Sequence, residues 1–300
     1  MEIYGILAGI AAASIWGGMY VVSKVVLDII PPFTLLSLRL VLGAVCLLVV
    51  IAIQGRWSAS RKLVIRALLV GFIGYGISLG LQFTGTKLST AANAALVTSA
   101  SPVFILLFGA WILKERVTAT RVLALMLASI GVMAVVDPRA VLLGGEEALG
   151  NLILLGAALT WGLYSVLIKI LTQGGSILEI SLYAFMGGLP LSMTAAGLEW
   201  HLIQWQSING AVILGILYLG VISTALAMYL WNSALARLEA GIVSLLFFAQ
   251  PVVGASLGAI FLGETLELGF WIGAALISTG LILAAREQFI HSRGAGSIAG

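Results

Sequence analysis

Long apolar runs separated by short polar segments restrict this chain to very few folds. Each run is close to the ~20 residues that one helix needs to cross the hydrocarbon core of a bilayer. The runs are residues 3–23, 40–53, 67–86, 88–113, 122–136, 148–168, 180–198, 208–236, 240–263 and 268–285. They predict ten transmembrane helices. The second run is long enough only if its helix begins near Pro32 and includes Arg39, and the fifth run is short.

The composition agrees with a chain that lies mainly in lipid. Of its residues, 61% are hydrophobic and 9% are charged, whereas about a quarter of the residues in a soluble domain are charged. The runs are continuously apolar and do not alternate with a period of two, which favours helices over a transmembrane barrel. The fold class predicted is therefore an all-α polytopic membrane protein.

Several other classes of protein are disfavoured by the same sequence. Only Glu2 precedes the first run as a charged residue, so we expect helix 1 to be retained and not cleaved as a signal peptide. A single Cys46 excludes a disulfide framework, and His201 and His291 lie outside the apolar runs. No Walker loop or HExxH motif is present, and the basic residues form no stripe. We therefore expect no enzyme activity, no cofactor or metal and no nucleic-acid partner.

The basic residues predict the orientation of the chain. With a cytoplasmic N-terminus, only Lys24, Lys87 and Arg139 fall in segments on the opposite side. Eleven of the fifteen basic residues then lie at cytoplasmic ends or loops: Arg56, Arg61, Lys62, Arg66, Lys114, Arg116, Arg121, Lys169, Arg237, Arg286 and Arg293. Because positive charge is retained in the cytoplasm, we predict a multi-pass protein of the bacterial inner membrane with both termini cytoplasmic.

The two halves of the chain repeat each other. ASIWGGMYVVSK in helix 1 matches AALTWGLYSVLIK in helix 6, which pairs Trp16 with Trp161 at an offset of 145 residues. Residues 101–131 match residues 250–280 at an offset of 149. Five helices is an odd number, so the second copy must enter the membrane from the opposite side. Inverted repeats of this kind are a recurrent basis for alternating access in secondary transporters.

These residues resemble the drug/metabolite transporter superfamily and, within it, the ten-helix EamA-type exporters. The resemblance lies in W-G-x-x-[YS] of helices 1 and 6 and in P-x(12)-E of helices 4 and 9, and it extends over the whole chain. Among these exporters the chain is most similar to the bacterial aromatic amino acid exporters. The resemblance implies a central cavity lined by helices 1, 3, 4, 6, 8 and 9, with helices 5 and 10 peripheral. The repeats are predicted at 1–140 and 148–288, with an outer linker at 141–147 and a flexible cytoplasmic tail at 289–300.

Polar and aromatic side chains within the runs are candidates to line this cavity, because polar groups in a span usually face the bundle interior. The candidate substrate-binding residues are Trp16, Tyr20, Tyr75, Ser78, Gln82, Asn93, Thr98, Ser101, Trp161, Tyr164, Tyr229, Asn232, Ser244 and Phe248. The alternative is that the polar groups bridge neighbouring helices by hydrogen bonds. The tyrosines also fit an interfacial belt, and the tryptophans also fit a packing role beside glycines.

A second set of residues is predicted to act in gating or in the scaffold: Lys24, Arg39, Pro102, Glu115, Lys169, Pro251 and Glu264. Each proline bends its helix and frees a carbonyl, either for a substrate ammonium or only as a packing effect. The two lysines either reach the membrane interface or attract a substrate carboxylate.

Arg39 has no acid in its own helix, and its counterpart in helix 7 is Tyr183. It either reaches the outer interface or backbone carbonyls, or acts in binding or conformational coupling. Glu115 and Glu264 are expected to pair with basic helix ends such as Arg116 or Arg121.

Taken together, these features predict export of amino acids or similar small metabolites through an uncharged polar cavity walled by aromatic residues. No acid lies deep in any run, which favours uniport. A multidrug or nucleotide-sugar carrier and a proton-coupled antiporter that uses Glu115 or Glu264 are the alternatives. The expected partners are a small-molecule substrate, an amino acid in the favoured case, and the lipid bilayer. The protein is expected to be a monomer or a homodimer.

Overall fold

A computed structural model describes residues 2–55, 57–89, 91–135, 146–262 and 268–296, and all regular structure in these ranges is helical. We number the helices in chain order. They are α1 Glu2–Leu27, α2 Pro32–Gln54, α3 Arg61–Leu88, α4 Ala91–Thr98, α5 Ser101–Ile112, α6 Ala119–Val135, α7 Glu146–Thr172, α8 Ile177–Glu199, α9 Gly210–Arg237, α10 Ala240–Leu246, α11 Ala249–Leu262 and α12 Leu268–Gly296. Two short 3-10 turns, Trp200–Leu202 and Trp205–Ser207, connect α8 to α9.

Six of the described helices are long and apolar enough to cross a membrane. They are Glu2–Leu27, Pro32–Gln54, Arg61–Leu88, Ala148–Thr172, Ile177–Leu202 and Gly210–Arg237. Four shorter apolar helices are Leu96–Ile112, Ala119–Ala134, Ala240–Gly254 and Trp271–Leu283. The expectation that the second helix begins near Pro32 is confirmed, because Pro32 is its first residue and Arg39 lies within it. Proline suits this position, where no backbone N–H donor is needed.

Helix breaks replace the bends predicted at the two prolines. The chain leaves the α-helical path at Ser99 and Ala100, before Pro102, and again at Phe247 and Phe248, before Pro251. The backbone N–H groups there bond three residues back, as in Ala100 to Val97 at 3.1 Å. A proline removes one helical N–H and its ring clashes with a carbonyl one turn earlier. The chain therefore tightens into a 3-10 turn just before each proline.

The middles of α3 and α9 are wound more widely than an α-helix. Phe72–Ser78 in α3 and Tyr218–Leu226 in α9 are π-helical. Such segments occur frequently at functional sites, because the extra residue in the turn disturbs the regular bonding of the backbone. Nothing in the hydrophobic pattern of the sequence indicated either segment.

Close helix approaches recur at equivalent positions in the two halves. A Cβ added to Gly17 in α1 would lie 3.1 Å from the backbone nitrogen of Gly254 in α11. A Cβ on Gly162 in α7 would lie 3.1 Å from the backbone nitrogen of Ile105 in α5. Gly17 and Gly162 are 145 residues apart, and Ile105 and Gly254 are 149 apart. The small residue after each repeated tryptophan therefore makes room for the same helix contact in both halves.

Helices α6 and α12 pack on each other through two contacts. Each residue of one contact is the repeat equivalent of a residue in the other. A Cβ on Gly131 would lie 2.8 Å from the carbonyl oxygen of Gly273, and a Cβ on Gly280 would lie 2.8 Å from that of Ala124. Gly131 and Gly280 are 149 residues apart, and so are Ala124 and Gly273. Reciprocal contacts of this kind are expected between elements related by a two-fold axis. The order of the contacts along the chain makes the two helices antiparallel.

Gly71 provides a direct test of the close packing between α3 and α8. A Cβ there would overlap the backbone of Ala184 in α8, so Gly71→Ala is expected to destabilise the protein by about 1–3 kcal/mol. Gly197 in α8 has open space around it, so Gly197→Ala is expected to leave stability unchanged or raise it by up to about 1 kcal/mol. The measurement is thermal unfolding of both variants in detergent, and equal melting temperatures would contradict the packing.

Candidate functional site

A narrow cavity lies in the middle of the bundle. Its empty space is about 380 Å³ when the part open to solvent is included. The lining residues are Trp16, Met19, Tyr20, Ser78, Leu79, Gln82, Thr98, Ser101, Ala157, Ala158, Trp161, Met228, Phe247 and Gln250. They come from α1, α3, α4, α5, α7, α9 and α11 and from the break before α11. The family resemblance implied helices 1, 3, 4, 6, 8 and 9. These correspond to the helices named here, because α4 and α5 together form predicted helix 4, α7 and α9 are predicted helices 6 and 8, and α10 and α11 form predicted helix 9.

The cavity lies where the two halves of the chain meet. Four pairs of lining residues occupy equivalent positions: Trp16 and Trp161, Leu79 and Met228, Thr98 and Phe247, and Ser101 and Gln250. The positions are equivalent but the chemistry is not, since Thr98 carries a hydroxyl where its counterpart Phe247 carries a phenyl ring. The first half supplies all four hydroxyl groups of the lining, on Tyr20, Ser78, Thr98 and Ser101, whereas both halves supply aromatic rings.

A chain of hydrogen bonds fixes the polar wall. Thr98 Oγ1 donates to the Ala94 carbonyl at 2.6 Å, so the Tyr20 hydroxyl donates to Thr98 Oγ1, also at 2.6 Å. Gln82 Nε2 then donates to the Tyr20 oxygen at 3.0 Å. Tyr20, Gln82 and Thr98, all predicted from the sequence, are thus brought together at the cavity. Ser78 joins the same wall and donates to the Ala157 carbonyl at 2.9 Å.

Aromatic side chains form another part of the cavity wall. Trp16 and Trp161 meet edge to face with their ring centroids 5.7 Å apart, and Phe247 lies 5.9 Å from Trp16. Trp16 Nε1 donates to the carbonyl of Ser223, in the π-helical segment of α9, at 3.0 Å. Such pairs add about 0.5–1.5 kcal/mol beyond the burial of their area. The repeated tryptophans therefore combine a packing role with a position on the cavity wall.

Two buried polar atoms beside the cavity have no hydrogen-bond partner among the described residues. They are Trp161 Nε1 and Gln250 Oε1, on residues that both line the cavity. Leaving a buried donor or acceptor unpaired costs about 1–3 kcal/mol. A bound molecule that offers an acceptor to Trp161 and a donor to Gln250 would remove this cost.

A second polar network lies outside the cavity lining. The hydroxyls of Tyr75 and Tyr164 share a hydrogen bond, and Tyr164 donates to Asn232 Oδ1 at 3.2 Å. Asn232 Nδ2 donates to Ser181 Oγ at 2.9 Å. All four residues are buried and join α3, α7, α8 and α9. In this conformation they bridge helices, and a role for Tyr75, Tyr164 and Asn232 in substrate binding stays a prediction.

Several other predicted residues also lie away from the cavity. Tyr229 is half-buried, Ser244 donates to the Gly241 carbonyl at 2.7 Å, and Phe248 packs with residues of α6 and α12. The side chain of Asn93 and all of Glu264 lie outside the described residues, as do residues 141–145 of the predicted linker.

Sequence reasoning missed several lining residues, although the repeat offset contained a signal for two of them. Phe247 and Gln250 are the counterparts of Thr98 and Ser101, which were predicted. The missed apolar residues Met19, Leu79, Ala157, Ala158 and Met228 carry no such signal in a chain that is apolar throughout.

The two repeated lysines bind the ends of equivalent helices. Lys24 Nζ donates to three carbonyls at the C-terminal end of α3, of which Ser89 is nearest at 2.7 Å. Lys169 Nζ donates to the carbonyls of Leu235, at 2.9 Å, and Leu238 at the end of α9. Ser89 and Leu238 are 149 residues apart. Cations are favourable at helix C-termini, so both lysines stabilise helix ends in the two halves.

Glu115 holds the beginning of α10. Its carboxylate oxygens accept hydrogen bonds from the backbone N–H groups of Ala240, at 2.8 Å, and Gly241, at 3.0 Å. Lys169 Nζ lies 3.9 Å from the same carboxylate. The positive end of a helix dipole favours a carboxylate at this position. Glu115 and Lys169 together therefore fix both sides of the turn between α9 and α10.

Glu115 pairs with a basic helix end, as expected, but this is Lys169 at 3.9 Å and not Arg116 or Arg121. Arg121 is buried and forms ion pairs with Glu239, at 2.5 Å, and Glu287, at 3.1 Å. Glu115 instead turns toward the N–H groups at the start of α10, which have no partner within their own helix.

Arg39 is fully buried in α2 and contacts only neutral groups among the described residues. Its Nε donates to Thr224 Oγ1 at 2.8 Å, and its Nη2 donates to Ser223 Oγ at 3.4 Å. Its Nη1 lies 3.6 Å from Met19 Sδ, and the guanidinium lies over the Phe83 ring. Among the described residues, Arg39 therefore donates to side chains and not to backbone carbonyls. The hydroxyls of the π-helical segment of α9 are nearer, because α2 packs against that segment.

This all-helical bundle, with its buried polar cavity between two matching halves, has the architecture of a membrane transporter. The EamA-like transporter family matches the chain twice, over residues 3–136 and 148–286. The chain therefore belongs to the EamA-like transporter family and is a multi-pass membrane protein.

Named relatives agree with this family. A "Probable amino-acid metabolite efflux pump" of Salmonella typhimurium is 32% identical over 281 residues and covers 90% of each chain. A protein of the same name from Escherichia coli is 28% identical and covers 93% of each chain. An "Uncharacterized transporter" of Bacillus subtilis is 27% identical, over 93% of this chain and 86% of its own. One crystal structure, 21% identical, superposes with a TM-score of 0.79 over 96% of this chain and 98% of that one, which shows a shared fold.

Replacing Lys169 tests the contacts at the end of α9. Lys169→Met removes the donor to the last carbonyls of α9 and the cation nearest Glu115, so we expect a loss of about 1–3 kcal/mol. Lys62→Met, at an exposed position in α3, is the matched control and should change stability by less than about 0.5 kcal/mol. Thermal unfolding in detergent measures both. A Lys169→Met protein as stable as the control would contradict the role assigned to Lys169.

Proposed function

We propose that this protein is a secondary transporter that exports amino acids or similar small metabolites across the bacterial inner membrane by alternating access. The observation that carries the proposal is the cavity between the two halves, with a hydroxyl-rich wall, an aromatic wall and two unpaired buried polar atoms. Amphipathic metabolites have the matching polar and apolar parts. The names of the Salmonella and Escherichia relatives support efflux of amino-acid metabolites.

The proposed topology has ten spans in two inverted repeats, 1–140 and 148–288, with both termini cytoplasmic. Support comes from the six long and four shorter apolar helices and from the two separate matches to one family. The reciprocal glycine contacts of α6 and α12 agree with a two-fold relation between the halves. The excess of basic residues in the predicted cytoplasmic segments supports the orientation.

In this topology, the contacts of Glu115 and Lys169 lie at the cytoplasmic end of the bundle. They fix the turn between α9 and α10 and hold α10 against α5 and α7. We therefore propose that these contacts close the cytoplasmic end in the conformation described and release when substrate enters from the cytoplasm. The helix breaks before Pro102 and Pro251 are suitable hinges, because a few backbone angles there can change without breaking α-helical bonds.

Two features favour uniport of a small amphipathic molecule over the alternatives. The carboxylate of Glu115 is bonded to backbone N–H groups and a lysine, which leaves it poorly placed to carry protons. Lys24 and Lys169 bind helix-end carbonyls and so do not face the cavity as phosphate ligands. A nucleotide-sugar carrier would need such cations to bind phosphate groups.

Flux from liposomes tests the proposed function. Proteoliposomes preloaded with a panel of labelled amino acids should release at least one of them faster than protein-free liposomes. An imposed pH gradient should leave the rate unchanged, because no proton is expected to move with the substrate. Release of no amino acid would contradict amino-acid export, and accumulation driven by the pH gradient would contradict uniport.

Two glutamines test the cavity itself. Gln82→Ala and Gln250→Ala each remove a polar group from the lining, so transport by each variant is expected to fall about tenfold, which corresponds to about 1.4 kcal/mol. Gln173 is exposed in the loop after α7, and Gln173→Ala should transport normally. Membrane insertion should be normal in all three proteins. Full transport by both cavity variants would remove these residues from the site.

A further inference from the structure

Arg39 is a cation that the structure leaves without a counter-charge. It is fully buried in a membrane-spanning helix, and none of its contacts with described residues is to a carboxylate. A buried charge is costly unless it is paired, and charged residues inside spans usually mark substrate or ion pathways. The contacts with the described residues thus give Arg39 a position but no neutralising partner.

The guanidinium group is only partly satisfied. It carries five N–H donors in a planar fork. Nε has a good partner in Thr224, but Nη1 faces a thioether at 3.6 Å, and Nη2 lies 3.4 Å from a hydroxyl. A thioether is a weak acceptor, so the two Nη groups are held by long or weak contacts. These are the groups that bind a carboxylate through two parallel hydrogen bonds.

One flexible side chain separates this fork from the cavity. Met19 lines the cavity, and its sulfur contacts Arg39 Nη1. Methionine is unbranched and adapts readily to its surroundings. A change of the Met19 rotamer would remove the side chain that contacts both Nη1 and the cavity. Lys24 and Lys169, the other two candidates to attract a substrate carboxylate, are bonded to helix ends.

We propose that Arg39 binds the carboxylate of the transported molecule once Met19 has moved aside. The substrate class is then the carboxylates, α-amino acids included, and it does not extend to amines or amides of similar shape. This inference rests on the proposed transport function, which it refines by assigning the group that recognises the acid. The hydroxyls of Ser223 and Thr224 hold the guanidinium in place, and the Phe83 ring covers one of its faces.

Paired probes that differ only in the carboxylate test the assignment. The probes are L-leucine and L-leucinamide, and L-phenylalanine and L-phenylalaninamide, at a pH that keeps each amino group protonated. Wild-type protein should prefer the acid in competition binding to detergent-solubilised protein and in flux from liposomes. Arg39→Met should bind the acid at least about 30-fold more weakly while its affinity for the amide stays within about threefold of wild type.

Two further variants separate recognition from folding. Arg39→Lys keeps the charge but loses the planar fork, so it should show an intermediate loss for the acid and none for the amide. Arg237→Met removes an arginine that donates to the Ser233 carbonyl and lies over Tyr4, outside the cavity lining. It is the matched control and should keep the wild-type preference.

Either of two results would overturn the assignment. One is an Arg39→Met or Arg39→Lys protein that keeps the full acid preference, and the other is an equal loss of affinity for acid and amide.

Ligand-induced thermal stabilisation separates failure of the Arg39 assignment from failure of the proposed function, because it needs no transport. If no amino acid is released from liposomes, the transport proposal fails. Stabilisation of the wild type by the acid alone, lost in Arg39→Met, would still support carboxylate binding, and equal stabilisation by acid and amide would exclude it.

Discussion

Close approach of helices at equivalent glycines is the constraint on which the rest of this structure depends. In lipid there is no hydrophobic driving force for apolar helices to associate. Small residues must therefore let the backbones come near enough for dispersion contacts. Gly17 and Gly162 do this for α1 against α11 and for α7 against α5. Because each follows a repeated tryptophan, the same contacts bring Trp16 and Trp161 face to edge beside the cavity. Packing and cavity thus depend on the same two-residue motif.

Equivalent residues of the two halves have the same role at the helix ends but different roles at the cavity. Lys24 and Lys169 bind equivalent carbonyls in the two halves, so both stabilise the end of a helix. Thr98 and Phe247 occupy equivalent positions with opposite chemistry. A scaffold of matching halves with an asymmetric lining suits a molecule with unlike ends.

The sequence predicted the helical class, the repeat and the cavity helices far better than it predicted which side chains face the cavity. Composition and the repeat offset are enough for the helical class and the repeat, because each depends on many residues at once, whereas the cavity helices are what the family resemblance implied. Which side chains face the cavity depends on the rotation of each helix about its own axis. The π-helical turn in α9 changes this rotation for the residues that follow it in the helix. Asn232, predicted for the cavity, is bonded to Tyr164 and Ser181 in this conformation. The break before Pro251 has the same effect, since it directs Phe247 and not Phe248 to the lining.

In the proposed topology, equivalent segments of the two repeats lie on opposite sides of the membrane. Lys87, near the end of α3, and Arg237, at the end of α9, are both exposed and occupy nearly equivalent positions. With Cys46 replaced by Ala, a membrane-impermeant maleimide should modify Lys87→Cys in intact cells and Arg237→Cys only after the membrane is permeabilised. Modification of both from the same side would contradict the inverted arrangement.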